Sequence, residues 1–417
     1  MHKRSKWAAF IIVLLILLII LLSYSRSKPS LRLPTGPGRA AVALGDSHGV
    51  ILASDGSLWV WGEEQSGWPA LGLGKVESQA CLRRLGTDTN WVDLAAGDSH
   101  TLALKADGTI WAWGENLGWQ LGDGTRTPRS TPVRSVPGND WNQVATGLHC
   151  LALKKDGTLW AWGNNWAGVL GDGSTNSSAV PVQVGSSTNW VKVWANNIES
   201  VGLQSDGSLW AWGYQLLQFG PKGQLVLVPT RLSADTNWVD VGLGDFMGFA
   251  IKSDGALWAW GADADIYTGA PDPALNGQPR QVGTNHDWRA CSPFWNSCTL
   301  LMKQDGSLWA LDDVLDQRGK RLGNPAWRMK PVPVRRIALQ KDIVAFAGGR
   351  HRLGVVLTRD GEVWTWGWAL GQRSQATALM RGVSRLLTRA GIRNRWGQRQ
   401  PEPVTHADPW QLPNAPP

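Results

Sequence analysis

An Asp-Gly pair, with a tryptophan four positions after the Asp, occurs seven times in this chain, at Asp55, Asp107, Asp156, Asp206, Asp254, Asp305 and Asp360. The intervals are 52, 49, 50, 48, 51 and 55 residues. A period of about fifty residues kept this often restricts the chain to a stack or ring of equivalent units. It also sets how every shorter motif is read. A motif that recurs in each unit belongs to the scaffold; one that occurs once is a candidate for function.

The clearest unit runs from Asn90 to Val136. Its pieces are Trp91-Val92-Asp93-Leu94, Gly97-Asp98-Ser99-His100-Thr101-Leu102-Ala103-Leu104, the Asp107-Gly108 turn, Trp111-Ala112-Trp113-Gly114, a polar loop containing Leu121-Gly122-Asp123-Gly124, and Pro132-Val133. Asp-Gly between two apolar runs is a hairpin signal, because the turn needs a residue with positive φ. The period of two in Trp-Ala-Trp-Gly sets both indoles on one face of a strand. Four short strands per unit and seven units predict an all-β, seven-bladed β-propeller over residues 39–407. Of the 28 tryptophans, 18 occupy repeated slots and are read as core. The last Pro-Val segment, Pro403 to His406, is expected to pair with the amino end of the array and close the ring.

These motifs resemble the regulator-of-chromosome-condensation repeat family. The resemblance covers nearly all of the chain after residue 39 and implies the same seven-bladed fold. It implies no one activity, since members serve as a nucleotide-exchange factor for a nuclear small GTPase, a secreted bacterial inhibitor of β-lactamases or a plant ultraviolet receptor. Their shared property is protein–protein contact through the propeller faces, and fold alone does not choose among such roles. The plant receptor's Gly-Trp-Arg-His-Thr motif has its nearest counterpart in Gly349-Arg350-His351-Arg352, without the Trp, which argues against photoreception.

Two motifs look catalytic in isolation. Gly45-Asp46-Ser47-His48-Gly49 fits the nucleophile pattern of serine hydrolases, but Gly97-Asp98-Ser99-His100 fills the same slot one unit later, and the hydrolase elbow needs a strand-to-helix turn. His48, His100, His149 and His351 recur in one slot that Glu199, Met247 and Cys298 fill elsewhere, as expected of a polar cap rather than a ligand ring. The Leu-Gly-Asp-Gly loops lack the run of oxygen ligands of a calcium loop. No catalytic residue, metal ligand or cofactor is assigned, and the chain is read as a non-enzyme.

The amino terminus is a separate element. Residues 7–22 are an apolar run behind Lys3, Arg4 and Lys6. As a helix they reach about 24 Å, short of the roughly 30 Å hydrocarbon core of a bilayer, with Ser23 and Tyr24 to extend the helix and Lys6 to snorkel. Residues 1–25 are therefore read as a membrane anchor or uncleaved signal, 26–38 as a Pro/Gly spacer, and 408–417 as a Pro-rich tail. The short basic amino terminus favours a single-pass protein with an extracytoplasmic propeller, periplasmic or at the cell surface. Cys291 and Cys298 are close enough in sequence to bridge across a hairpin in an oxidising compartment, or to be two buried thiols.

Charge divides the chain. Residues 40–317 hold 16 Lys+Arg against 28 Asp+Glu, whereas residues 318–399 hold 18 against 3. The basic part includes an insertion of about eighteen residues in the seventh unit: Gly367 to Pro403 spans 36 positions where Gly114 to Pro132 spans 18. Within 376–395, Arg381, Arg385, Arg389 and Arg393 repeat at the spacing of one helix face. These arginines and the non-repeat Trp119 and Trp166 are the candidate partner-binding residues. The function expected is a membrane-tethered, non-catalytic protein-interaction propeller. The alternatives are a guanine-nucleotide-exchange-like regulator of a small GTPase and a cell-envelope carbohydrate binder. Nucleic acid is not an expected partner.

Overall fold

The seven Asp-Gly turns share one hydrogen-bonding scheme, described here from a computed structural model that covers residues 32–64, 68–75, 77–215, 224–244, 247–261, 278–292, 298–312, 334–337, 339, 341–349 and 353–366. In the second unit Lys105 N donates to Thr109 O and Gly108 N donates to Lys105 O. Gly108 alone takes positive φ, +79°. The loop is thus a turn ending in a glycine bulge. The Asp107 carboxylate accepts from both the backbone N–H and the hydroxyl of Thr109, at 3.0 and 2.6 Å. Thr109 Oγ1 in turn accepts the Trp111 indole N–H at 3.0 Å. Ser57, Thr158, Ser208 and Ser307 do the same for Trp59, Trp160, Trp210 and Trp309. In the fifth unit the slot holds Ala256, and the Trp258 indole nitrogen is left without a hydrogen-bond partner.

Each unit folds into its own antiparallel sheet. Six sheets have four described strands in sequence order and the seventh, Ile343–Gly349, Leu353–Thr358 and Val363–Trp366, has three. This is the all-β, seven-bladed propeller. The Asp-Gly turns of blades 1 to 5 each accept a hydrogen bond from the start of the next blade: Trp91 N to Gly56 O, Trp141 N to Gly108 O, Trp190 N to Gly157 O, Trp238 N to Gly207 O and Trp288 N to Gly255 O, at 3.1–3.3 Å. A side chain at Gly108 would set its Cβ 2.1 Å from Asn139 O, so the close approach of blades requires glycine there as much as the φ does.

The core lies between blades rather than within them. Leu102, Leu104, Ile110 and Ala112 of blade 2 pack against Trp141, Val144 and Trp162 of blade 3 in one buried cluster. Six further clusters repeat this arrangement around the ring. The two faces of a blade explain the Trp-Ala-Trp pattern: the indole face meets the aliphatic face of the preceding blade. Within a blade, Trp91 and Trp111 meet edge to face, with ring centroids 6.2 Å apart. Lys105 Nζ lies over both rings, 4.7 and 4.2 Å from their centroids, and its charge is met by Asp88 at 2.7 Å. Lys154, Lys252 and Lys303 repeat the arrangement.

The ring closes through the segment before blade 1. Leu33 N donates to Gly361 O at 2.7 Å, the bond that a tryptophan N–H makes at the five joints from blade 1 to blade 6. Leu33 is buried in a cluster with Ile51 and Trp61 of blade 1 and Val355 and Leu357 of blade 7. Arg32 pairs with Glu362 at 3.0 Å, and Ser54 accepts from Gly36 and Gly38 on blade 1. The latter part of the 26–38 spacer is therefore bound to the propeller. Leu33→Ala is expected to cost about 2–3 kcal/mol, read from the shift in a urea unfolding midpoint.

Three expectations fall outside the described residues: the apolar segment 7–22, the closing segment 403–406 and the insertion 376–395 with Arg381, Arg385, Arg389 and Arg393. Among the described residues no helix is long and apolar enough to cross a membrane. Of the two readings of Cys291 and Cys298, the buried thiol describes Cys291. Cys291 is a free, buried thiol paired across the sheet with Leu301, and its Sγ donates to Phe249 O in the adjacent blade. The register explains this: Cys291 faces across to Leu301, three positions beyond Cys298.

Candidate functional site

Two sets of loops emerge at one end of the propeller. The turn between the first and second strands and the loop between the third and outer strands are tied together by Glu63 N to Ser47 O, Glu115 N to Ser99 O and Tyr214 N to Ile198 O. Behind them lies the histidine belt. His48 Nε2 meets Thr101 Oγ1 of the next blade at 2.9 Å, His100 Nε2 meets Thr146 Oγ1 at 2.7 Å, and His149 Nε2 meets Ser200 Oγ at 2.6 Å. Burial lowers the three imidazoles to about 4, 3 and 3. They are neutral joints between blades. The Gly45-Asp46-Ser47-His48-Gly49 motif is one of these joints, on a turn between two strands.

The long loops are rigidly built. Asn116 is fully buried; its amide donates to Asp123 Oδ1, Thr125 O and Thr127 O, and its Oδ1 accepts from Leu121 N at 3.0 Å. Asn165 repeats this with Asp172, Ser174, Asn176 and Leu170. The aspartates of Leu-Gly-Asp-Gly thus form turns: Asp123 accepts from Thr125 and pairs with Arg129 at 2.7 Å. In blade 1, Glu64 does the work of the asparagine by accepting Ala70 N and Leu71 N, and its pKa is raised, chiefly by burial. Each loop also latches onto the outer strand of the next blade, through Gly74 N to Ser130 O, Gly124 N to Ala179 O and Gly173 N to Leu227 O.

On this frame the two tryptophans singled out from sequence take different places. Trp166 is 52% exposed, and its ring lies 6.5 Å from that of Tyr214 on the next blade. Tyr214 pairs across its sheet with Leu225, itself exposed, and Val228 is exposed further along the same strand. Leu117, the counterpart of Trp166 in the preceding loop, is also exposed. The result is an aromatic and aliphatic rim carried by the hydrogen-bonded loops of blades 2 and 3 and the outer two strands of blade 4. Trp119 is half-buried beneath the Arg126 guanidinium, 4.4 Å from its centroid. Its φ is +62°, where the equivalent residue of the next loop is Gly168 at +71°. A bulky side chain in that region is strained, and such strain concentrates at functional loops.

Sequence reasoning missed Tyr214, Leu225 and Val228. Tyr214 follows the Trp-Ala-Trp-Gly strand directly, where other units have Glu115 or Asn164, and that break in the repeat is the signal that marks it.

Family models for the regulator of chromosome condensation repeat match residues 40–67 and 91–117, and again 107–153 and 156–195. The chain carries regulator of chromosome condensation repeats. Among curated proteins it is similar to the ultraviolet-B receptor UVR8 of Arabidopsis thaliana, 36% identical over 25% of this chain and 24% of the receptor. It is also similar to the RCC2 homologue of Danio rerio, 38% identical over 19% of this chain and 16% of that protein. The chain thus spans a quarter or less of the length of these relatives. Among solved structures, Prp20p of Saccharomyces cerevisiae, described with its binding properties to Gsp1p and histones, superposes with a TM-score of 0.60. The match covers 82% of this chain and 85% of that one at 20% identity, a likeness of fold.

Proposed function

We propose that this repeat protein is a non-catalytic interaction module that presents the rim of blades 2 to 4 to a protein partner. The observation that carries the reading is the Trp166–Tyr214–Leu225 surface, in which exposed Trp166, on the loop fixed by buried Asn165, meets half-buried Tyr214 and exposed Leu225 on the outer two strands of blade 4. Rigid aromatic side chains are the typical anchors of protein interfaces, because little conformational entropy is lost when they are covered. The apolar run 7–22 supports a membrane tether with the propeller on the extracytoplasmic side.

Affinity capture from membranes tests this with the double variant Trp166→Ala/Tyr214→Ala. The variant is expected to keep the wild-type unfolding midpoint and to lose its partners by tenfold or more, as hot-spot removal does. Unchanged capture overturns the rim, and capture of isolated envelope polymer in place of protein turns the reading to a carbohydrate binder.

A second reading has its support in Prp20p, described as binding Gsp1p: a guanine-nucleotide-exchange-like regulator of a small GTPase. It requires a cytoplasmic propeller. A reporter fused to the carboxyl terminus, active only in the cytoplasm, separates the two readings.

A further inference from the structure

The histidine belt is broken at the joint between blades 4 and 5. In blades 1 and 3 the belt histidine reaches a hydroxyl of the next blade, Thr101 or Ser200, which directly follows that blade's own belt residue. In blade 4 the belt residue is Glu199, buried, and the position that would supply the hydroxyl is Gly248. A second exchange accompanies the first. Trp113, Trp162 and Trp212 donate their indole N–H to a loop carbonyl of the preceding blade, Ala70, Gln120 and Val169. Trp260 of blade 5 instead donates to Glu199 Oε1, at 3.4 Å. A Cβ on Gly248 would lie 2.0 Å from the Trp260 ring, so only glycine admits this indole.

We propose that Glu199 makes the joint between blades 4 and 5 a proton-sensitive seam, closed while its carboxyl is neutral and loosened when the carboxyl ionises. A buried carboxylate needs strong donors in place of water. Among the described residues it has one indole N–H at long range. The same turn carries another tie across this joint: Asn196 accepts Glu199 N at 2.6 Å and donates to Gly244 O of blade 5 at 2.6 Å. Moving the carboxylate toward water therefore strains both ties together.

The surrounding charges are engaged elsewhere. Lys192 on the innermost strand of blade 4 and Asp240 on that of blade 5 face each other at 3.9 Å, with Arg39 near Asp240. Asp98 takes the amide of Asn197. His149, from blade 3, is held neutral by burial down to about 3. Lys252 on the second strand of blade 5 pairs with Asp235. Tyr214 follows Gly213, the residue opposite Glu199, and stacks on Trp166. From blade 5, Met247 occupies the belt slot and Trp260 supplies its indole. Burial raises the Glu199 carboxyl to about 7, with the Trp260 bond opposing. The histidine joints of blades 1 to 3 do not titrate near neutrality and do not share the response.

Amide hydrogen exchange, corrected for the intrinsic pH dependence of exchange, tests the seam. Between pH 6 and pH 8, opening at 196–204 and 244–252 is expected to increase about tenfold in the wild type. The joints of blades 1 to 3 are expected to hold constant. Glu199→Gln, which keeps an acceptor for Trp260 without a charge, is expected to abolish the increase. No increase in the wild type, or the same increase in Glu199→Gln, overturns the proposal. Should the variant fail to fold, a carboxyl-carbon titration of the wild type decides: Glu199 titrating near the ordinary glutamate value overturns it, and titration near 7 supports it.

Discussion

Trp162→Ala is expected to lower the free energy of unfolding by about 3–5 kcal/mol, while Trp166→Ala, four residues on, is expected to change it by less than about 0.5 kcal/mol. Trp162 is fully buried between blades 2 and 3, in one cluster with Leu102, Leu121 and Val136 of the preceding blade. Its indole N–H donates to Gln120 O at 3.0 Å, a carbonyl that also receives the Cys150 thiol. Truncation therefore leaves a cavity at the joint, while the carbonyl keeps one donor. Trp166 stands in solvent against Tyr214. Chemical denaturation of the two variants side by side measures the difference; equal losses would show that the loops, and not the joints, hold the ring together.

Acidification is expected to unfold the propeller between about pH 5 and pH 4. His48, His100 and His149 have folded-state values lowered to about 4, 3 and 3, first by burial and, for the second and third, also by the neighbouring histidine. In the unfolded chain they titrate near 6.5. The unfolded state thus binds more protons between these limits. The stabilisation is full above pH 6.5 and is lost as pH falls toward the folded values. At pH 4.5 each histidine costs about 2.7 kcal/mol, and three together about 8 kcal/mol, comparable to the whole stability of a domain. Glu199, raised to about 7, works in the opposite direction over the same range. Three protons against one leaves the histidines dominant. Urea midpoints from pH 7 to pH 4.5 check this, and His100→Gln should reduce the slope by about one proton. A flat profile would mean that the belt is hydrated.

The repeat unit was legible in the sequence because its rules are local. An Asp-Gly turn needs its glycine, and an alternating strand needs its two faces. The hydroxyl of Ser57 or Thr109, which links turn to tryptophan, was equally available in the sequence as the residue after each glycine. The cation held between two indoles, Lys105 or Lys154, was visible only as a lysine near the turn; its role depends on a tryptophan from the innermost strand. Trp119 and Trp166 were found by their departure from the period. Tyr214 and Leu225 were not, because their exposure depends on which neighbouring loop lies over them.

By itself, then, the sequence determined the number of blades, the turn chemistry and the division between repeated core and unrepeated loop, since each follows from short-range spacing. Only the tertiary structure decided which tryptophan is buried, that Leu33 takes the place of a tryptophan at the closing joint, that Cys291 stays a free thiol and that Glu199 faces an indole instead of a hydroxyl. Those outcomes depend on the adjacent blade, about fifty residues away along the chain or, at the closure, more than three hundred, and no local pattern encodes what that blade presents.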